Sequence, residues 1–279
     1  MLADPSLKRS PGRSLGGRAA RSTSQTAPSV KPWEAMAGST VSNRGDTPPL
    51  FRRRRRWPLV GALAVAGLAG VLAVWWFVWV PNWRPPLEEG ERYGIDVSSH
   101  QDVIDWRQVA GDGIKFAYIK ATEGGDFTDD RFEENWRGAQ DAGLDRGAYH
   151  YFTLCTPGAE QARHFIDVAA PENDALPPAV DLELVGNCSA RPSPSEVKGQ
   201  LGDFIRLVEG AWGREVILYV GDDFERAYPV RQELDRPLWH RRFLLRPDLD
   251  GWLIWQLHGY ARVDGIDGGV DLDVMRASP

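Results

Sequence analysis

Within Pro177-Pro178-Ala179-Val180-Asp181-Leu182-Glu183-Leu184, two carboxylates stand two residues apart in an otherwise apolar run. Side chains alternate across a β-strand, so Val180, Leu182 and Leu184 share one face while Asp181 and Glu183 share the other. Paired acids are costly on a buried strand, because burial and like charge both push at least one pKa upward. Glycoside hydrolysis uses such a pair: one carboxylic acid keeps its proton and delivers it to the leaving oxygen, beside a second group of negative character. A salt-bridged structural pair would account for the same residues without chemistry.

Other segments offer partners for that pair. In Tyr93-Gly94-Ile95-Asp96-Val97-Ser98, Asp96 lies on the face opposite Ile95 and Val97, where it either joins the same pocket or caps a strand end. In Gly147-Ala148-Tyr149-His150-Tyr151-Phe152, Tyr149 and Tyr151 share a face and offer rings and hydroxyls to a sugar, with aromatic core packing as the rival account. Val270-Asp271-Leu272-Asp273 again alternates acids with apolar residues, and Trp255-Gln256 sits on the preceding run. Trp255 and Gln256 cannot both point inward from a regular strand. The histidines His100, His150, His164, His240 and His258 form no HExxH pattern, which argues against a metalloprotease.

These residues need a scaffold. Strands are expected at Tyr93–Val97, Phe116–Lys120, Gly147–Phe152, Ala179–Leu184 and Val216–Val220, with helices near Arg131–Ala142, Gly158–Ala169 and Ser195–Trp212 between them. Ser193-Pro194-Ser195-Glu196 supplies a hydroxyl cap and a proline ahead of an apolar-periodic stretch, a helix start. From Leu238 onward the runs Leu238–Leu245, Leu253–His258 and Val270–Val274 read as strands without full helices between them. The fold class expected is α/β, an irregular (β/α) barrel.

Charge divides the chain. Residues 1–57 carry twelve Lys/Arg against three Asp/Glu, a balance of +9, whereas residues 81–279 carry twenty-one against thirty-six, a balance of −15. The acidic part would repel phosphates, so nucleic acid is not an expected partner. Between the two lies Pro58–Val80, 23 residues without a charge. As a helix it extends roughly 34 Å against about 30 Å of hydrocarbon, enough to span a bilayer. Arg52–Arg56 abuts one end, while Arg84 is offset by Glu88, Glu89 and Glu91 at the other. The positive-inside bias then places the N-terminus in the cytoplasm and everything after Val80 outside the membrane. Trp75, Trp76, Trp79 and Trp83 cluster where the helix would emerge, as an aromatic belt does. A buried core helix, a cleaved signal peptide and an organellar transit peptide are the competing readings. The run starts late and ends in Trp-Trp-Phe-Val-Trp-Val, with no small-residue cleavage site. Residues 1–57 are expected to be a disordered basic tail, 81–91 a linker, and 92–276 the catalytic domain.

The ordered set Gly94-Ile95-Asp96-Val97-Ser98, Phe116–Gly124, Gly147–Phe152, Asp181-Leu182-Glu183, Trp255-Gln256 and Gly265–Leu272 resembles glycoside hydrolase family 25. The resemblance covers nearly all of residues 92–276 and implies an irregular α/β barrel. It also implies hydrolysis of the β-1,4 bond between N-acetylmuramic acid and N-acetylglucosamine in peptidoglycan, without a metal or organic cofactor. Carried over by position, Glu183 resembles the family's general acid. Asp181 resembles the carboxylate that stabilises the reacting centre or orients the substrate acetamido group, and Asp96 and Asp271 its supporting acids. The expected site is thus Glu183, Asp181 and Asp96, with Tyr149, Tyr151, Trp255, Gln256 and Asp271 holding substrate. In this reading Asp181 stays ionised and raises the pKa of Glu183 by like-charge repulsion. Ser99 and Asp273 depart from the histidine and asparagine that the family often has at those places, which bears on substrate fit.

Cys155 and Cys188 are the two cysteines and follow neighbouring expected strands, so in an oxidising compartment one disulfide between them is expected. The natural partner is the glycan strand of peptidoglycan, and a monomer in a bacterial cytoplasmic membrane suffices, with its domain extracytoplasmic. Three rivals remain. A glycan-binding module would not need both Asp181 and Glu183, and a chitinase-like hydrolase would carry a longer acidic run before that pair. A structural envelope protein would have no use for the four motif acids.

Overall fold

The alternating runs become strands in a computed structural model that describes residues 57–249 and 251–277. They are β1 (Arg92–Val97), β2 (Phe116–Glu123), β3 (Phe127–Thr128), β4 (Asp145–Tyr151), β5 (Ala179–Leu182), β6 (Ile217–Val220), β7 (Leu238–Arg241), β8 (Trp252–Ala261) and β9 (Val270–Met275). From β1 through β2, β4, β5, β6 and β7 to β8, each neighbouring pair is parallel. β9 runs antiparallel to both β8 and β1 and closes the ring. The architecture is a closed eight-stranded barrel in a mixed α/β fold, with β3 a short antiparallel flap on β2.

The helices are α1 (Trp57–Val74), α2 (Val80–Asn82), α3 (Trp106–Gly111), α4 (Phe132–Asp141), α5 (Gly158–Val168), α6 (Pro194–Trp212) and α7 (Asp222–Ala227). α6 starts at the cap read from the sequence: the Glu196 N–H donates to the Ser193 hydroxyl at 3.3 Å, and the Ser193 N–H donates to the Glu196 carboxylate at 2.8 Å. Its buried side chains Val197, Leu201, Phe204, Ile205, Val208 and Trp212 recur every three or four residues and form one apolar stripe. Outward-facing Ile95, Val97, Ala117, Ile119, Val180, Leu182, Leu218 and Val220 pack beneath the helical layer. Inward-facing Phe116, Tyr118, Ala179, Ile217, Tyr219, Trp239, Ile254 and Met275 fill the barrel. Two motif glycines make that filling possible. A Cβ at Gly94 would lie 2.2 Å from the Phe116 ring, and one at Gly147 would lie 2.3 Å from the Tyr118 ring.

Two strands stop two or more residues earlier than the alternation predicts. β5 ends at Leu182, so Glu183 stands just past the ladder. β7 ends at Arg241, and the chain loops through Leu244 at φ 55°, held by an Arg242–Asp248 ion pair of 2.5 Å. Neither α3 nor α7 is long enough to show a helical period in sequence, and both were missed.

The apolar run forms α1, continues through a π-helical turn at Trp75–Trp79 and ends in α2. None of the α1 side chains is buried, which rules out a core helix. The expected linker is pinned to the barrel: the Arg262 N–H donates to the Pro81 carbonyl at 2.9 Å and Arg246 Nη2 to the Pro86 carbonyl at 3.1 Å. Arg84 pairs with Asp112 at 2.5 Å. Apart from Trp57, the basic tail expected at 1–57 lies outside the described residues.

Candidate active site

Parallel strands deliver their C-terminal ends to one rim, where loops rather than ladder partners surround the side chains. At that rim Asp96 of β1, Tyr149 of β4, Asp181 of β5, Tyr219 of β6, Arg241 of β7 and Gln256 of β8 line a cavity of about 340 Å³. Glu183 joins from just beyond β5. Asp271 enters from β9, whose antiparallel register sets it directly opposite Asp96. Trp239 and Tyr260 complete the wall. Gly221 leaves room behind Glu183, since a Cβ there would stand 3.2 Å from its Cγ.

A hydrogen-bond chain runs across the floor. Gln256 Nε2 donates to Asp96 Oδ2 at 2.8 Å, and the Tyr219 hydroxyl donates to Gln256 Oε1 at 3.1 Å. The same hydroxyl lies 3.4 Å from Glu183 Oε1, so its single proton serves one acceptor at a time. Beneath, the fully buried Asp273 accepts the Trp239 indole N–H at 2.9 Å.

Burial dominates the electrostatics, because it penalises the charged form of each carboxyl. It raises Asp181 well above the ordinary range, with Glu183 adding and Lys120 opposing. Among the described residues, Asp181 Oδ1 is buried without a hydrogen-bond partner. Glu183 is raised by burial first, against the lowering pull of Arg241. Asp96 is raised well above its usual range by burial, then by Asp271 and Asp273. Asp271 is raised by burial, with Arg241 opposing. Burial is thus the larger cause of the raised Glu183 pKa, and the like-charge repulsion between Asp181 and Glu183 expected from the sequence is felt at Asp181. Burial also holds the Tyr149 and Tyr219 phenols protonated as donors. Among the described residues, no group of three or more His, Cys, Asp or Glu side chains is arranged to hold a metal ion.

The structure brings Asp96, Tyr149, Asp181, Glu183, Gln256 and Asp271 together and separates two other expected residues from them. Tyr151 does not line the cavity; its hydroxyl donates to the Val185 carbonyl at 2.7 Å and Lys120 Nζ sits 5.2 Å from its ring centroid. It braces the loop that carries Glu183. Trp255 is the second correction: strand parity turns Gln256 inward, so Trp255 packs in the outer core, its indole N–H donating to the Arg242 carbonyl at 2.7 Å. Trp255→Ala is therefore expected to cost about 3–5 kcal/mol of stability, read from denaturant unfolding, with little change in KM. An equally stable variant with a raised KM would restore the sugar-contact role. Sequence reasoning missed Tyr219, Trp239 and Arg241. Alternation along the expected strands from Val216 and Leu238 places Tyr219 with Ile217, and Trp239 with Arg241, on one face, and that signal was available.

Cys155 and Cys188 form a disulfide with Cα atoms 6.2 Å apart, joining the loops after β4 and β5. Asn187 Nδ2 ties the same loops by donating to the Phe152 carbonyl at 2.8 Å and the Glu183 carbonyl at 2.9 Å. Closing a separation of 33 residues removes about 3–4 kcal/mol of unfolded-chain entropy. Thiol labelling of the denatured, unreduced chain is expected to find no free cysteine, and reduction to lower the unfolding midpoint. Two labels per chain would refute the bridge.

Residues 95–266 match the Glycosyl hydrolases family 25 profile. Protein YegX of Escherichia coli K12 is 36% identical over 194 residues, 67% of this chain and 70% of that protein. Lysozyme M1 of Streptomyces globisporus is 30% identical over 207 residues, 69% of this chain and 70% of that protein. A family 25 glycosyl hydrolase structure from Bacillus anthracis aligns with a TM-score of 0.62 at 32% identity, covering 70% of this chain and 93% of that one. Because the profile match runs from the first barrel strand to the turn before the last and includes Asp96, Asp181 and Glu183, the chain belongs to glycoside hydrolase family 25 and is a glycoside hydrolase.

Proposed function

We propose that this chain is a membrane-anchored muramidase that cleaves the β-1,4 bond between N-acetylmuramic acid and N-acetylglucosamine in peptidoglycan. The carrying observation is the Asp181–Glu183 pair at the end of β5, in a cavity where burial raises carboxyl pKa values. A relative named Lysozyme M1 supports the same substrate. Glu183, less deeply set than Asp181, gives its proton to the glycosidic oxygen. Asp181 has no donor among the described residues for its buried oxygen and takes the substrate side: it orients the acetamido group or stabilises charge at the reacting centre. Asp96 and Asp271 are its supporting acids, while Tyr149 and Gln256 hold the sugar.

The membrane part of the proposal rests on α1, apolar over its length with no buried side chain, preceded by Arg52–Arg56. The chain then crosses the bilayer once, with its N-terminus in the cytoplasm and the barrel outside. Alkaline phosphatase fused after residue 90 is expected to be active, and an inactive fusion or a mature chain starting near residue 81 would refute the anchor. For the activity, the full chain in detergent is incubated with purified peptidoglycan and its products are analysed by mass spectrometry. A new muramic acid reducing end is expected; peptides released without one would point to a peptidase.

A further inference from the structure

The anchor and the barrel are joined by more than a connecting segment. In the last part of the long helix, the Trp76 ring lies 6.0 Å from Phe243 and 5.8 Å from Tyr260, centroid to centroid. His258 meets Phe243 edge-on at 6.2 Å and stacks on Tyr260 at 6.3 Å, so four rings form one cluster. Phe243 belongs to the loop between β7 and β8, and Tyr260 to β8. Around them the barrel exposes Leu245 at 61% and Leu249 at 42%, with Phe243 itself at 44% and Tyr260 at 53%. The loop's arginines do not dilute this apolar surface with free charge. Arg242 is paired with Asp248, and Arg246 with Glu91.

Depth identifies the occupant. At 1.5 Å per residue, Trp76 stands roughly 27 Å along the helix from Pro58, close to the far edge of about 30 Å of hydrocarbon. Rings in contact with Trp76 lie at the same level, the headgroup layer where aromatic side chains partition. The pinned segment after α2 prevents the barrel from swinging away from that level.

We propose that the β7–β8 loop, through Phe243 and Leu245, together with Tyr260 forms a lipid-contacting face that seats the barrel on the bilayer its own helix spans. The proposal rests on the reading of α1 as a membrane span. Tyr260 also lines the active-site cavity, so the rim of the cleft is held at headgroup level. The substrate this geometry reaches is glycan lying against the membrane, not strands in the outer wall.

The test places a photoreactive amino acid at single positions of the full chain, reconstituted in nanodiscs of phosphatidylethanolamine and phosphatidylglycerol. Lipid adducts are then counted by mass spectrometry. Positions Phe243 and Leu245 report the proposed face, and Leu68 in α1 reports the span. Asp167 is the water-side reference, exposed on α5, which follows β4, the strand four places from β8 around the ring. The expected result is adducts at Phe243 and Leu245 at several times the Asp167 yield, together with strong labelling at Leu68. Labelling at Leu68 with Phe243 and Leu245 no higher than Asp167 would overturn the seated domain while leaving the anchor. Absence of labelling at Leu68 would overturn the anchor and the seated domain with it. As a second readout, Phe243→Glu combined with Leu245→Glu is expected to leave turnover of soluble glycan fragments unchanged and to slow attack on membrane-apposed peptidoglycan several-fold. Equal rates on both substrates would also overturn the proposal.

Discussion

Replacing Glu183 with Gln is expected to lower turnover of peptidoglycan by roughly a hundredfold or more, the scale of a lost general acid. The substitution keeps size and leaves a hydrogen-bonding group near the Tyr219 hydroxyl, 3.4 Å from Glu183 Oε1, but carries no acidic proton. Circular dichroism should show the native fold, and a folded variant with near wild-type turnover would refute the assignment and leave Asp96 and Asp271 as the next acids to test. The pH profile follows from the same carboxyl. Burial raises its pKa, so the protonated, active form is complete below that raised value and is lost as pH climbs through it. Arg241 opposes the rise. Arg241→Gln is therefore expected to move the basic limb of the kcat profile to higher pH. A limb that stays in place or moves down would show that Arg241 does not act on the proton donor.

Asp181→Asn is expected to reduce kcat far more than it raises KM, by on the order of a hundredfold if the charge stabilises the transition state. It carries a second, opposite effect on stability. The folded Asp181 carboxyl has a raised pKa, so between the unfolded value of about 3.9 and the raised one the folded state binds more protons than the unfolded state. Wild-type stability from this group therefore falls as pH rises through that interval. Asparagine cannot ionise and escapes the penalty. The variant should melt above the wild type at neutral pH, by about 2–4 °C for each kcal/mol relieved, and the gap should close below the unfolded carboxylate range. An inactive variant that is less stable at every pH would instead mark Asp181 as a structural acid. A variant of equal activity would remove it from the chemistry.

Much of the local geometry was legible in the chain. Alternation set Asp181 and Glu183 on one face and Val180 and Leu182 on the other, because strand periodicity is a property of consecutive residues. The Ser193–Glu196 cap fixed the start of α6 for the same reason, and the uncharged run ahead of residue 81 became an uninterrupted helical segment. The family resemblance supplied the positions of the acids. What the chain could not state was which faces meet. Asp96 and Asp271 become direct neighbours only because β9 reverses direction and closes the barrel against β1, a pairing across 175 residues of chain. Trp255 and Gln256 obey strand alternation either way, and only the position of β8 in the ring decides that Gln256 enters the cavity. Tyr151 shares a predicted face with Tyr149, yet its hydroxyl is taken by Val185 in a loop whose path depends on the Cys155–Cys188 bridge and Asn187. The raised pKa of Asp181 is likewise tertiary, since desolvation arises from the walls that other strands build around it. Sequence periodicity determines the direction in which a side chain leaves its strand, whereas barrel closure determines what it encounters there.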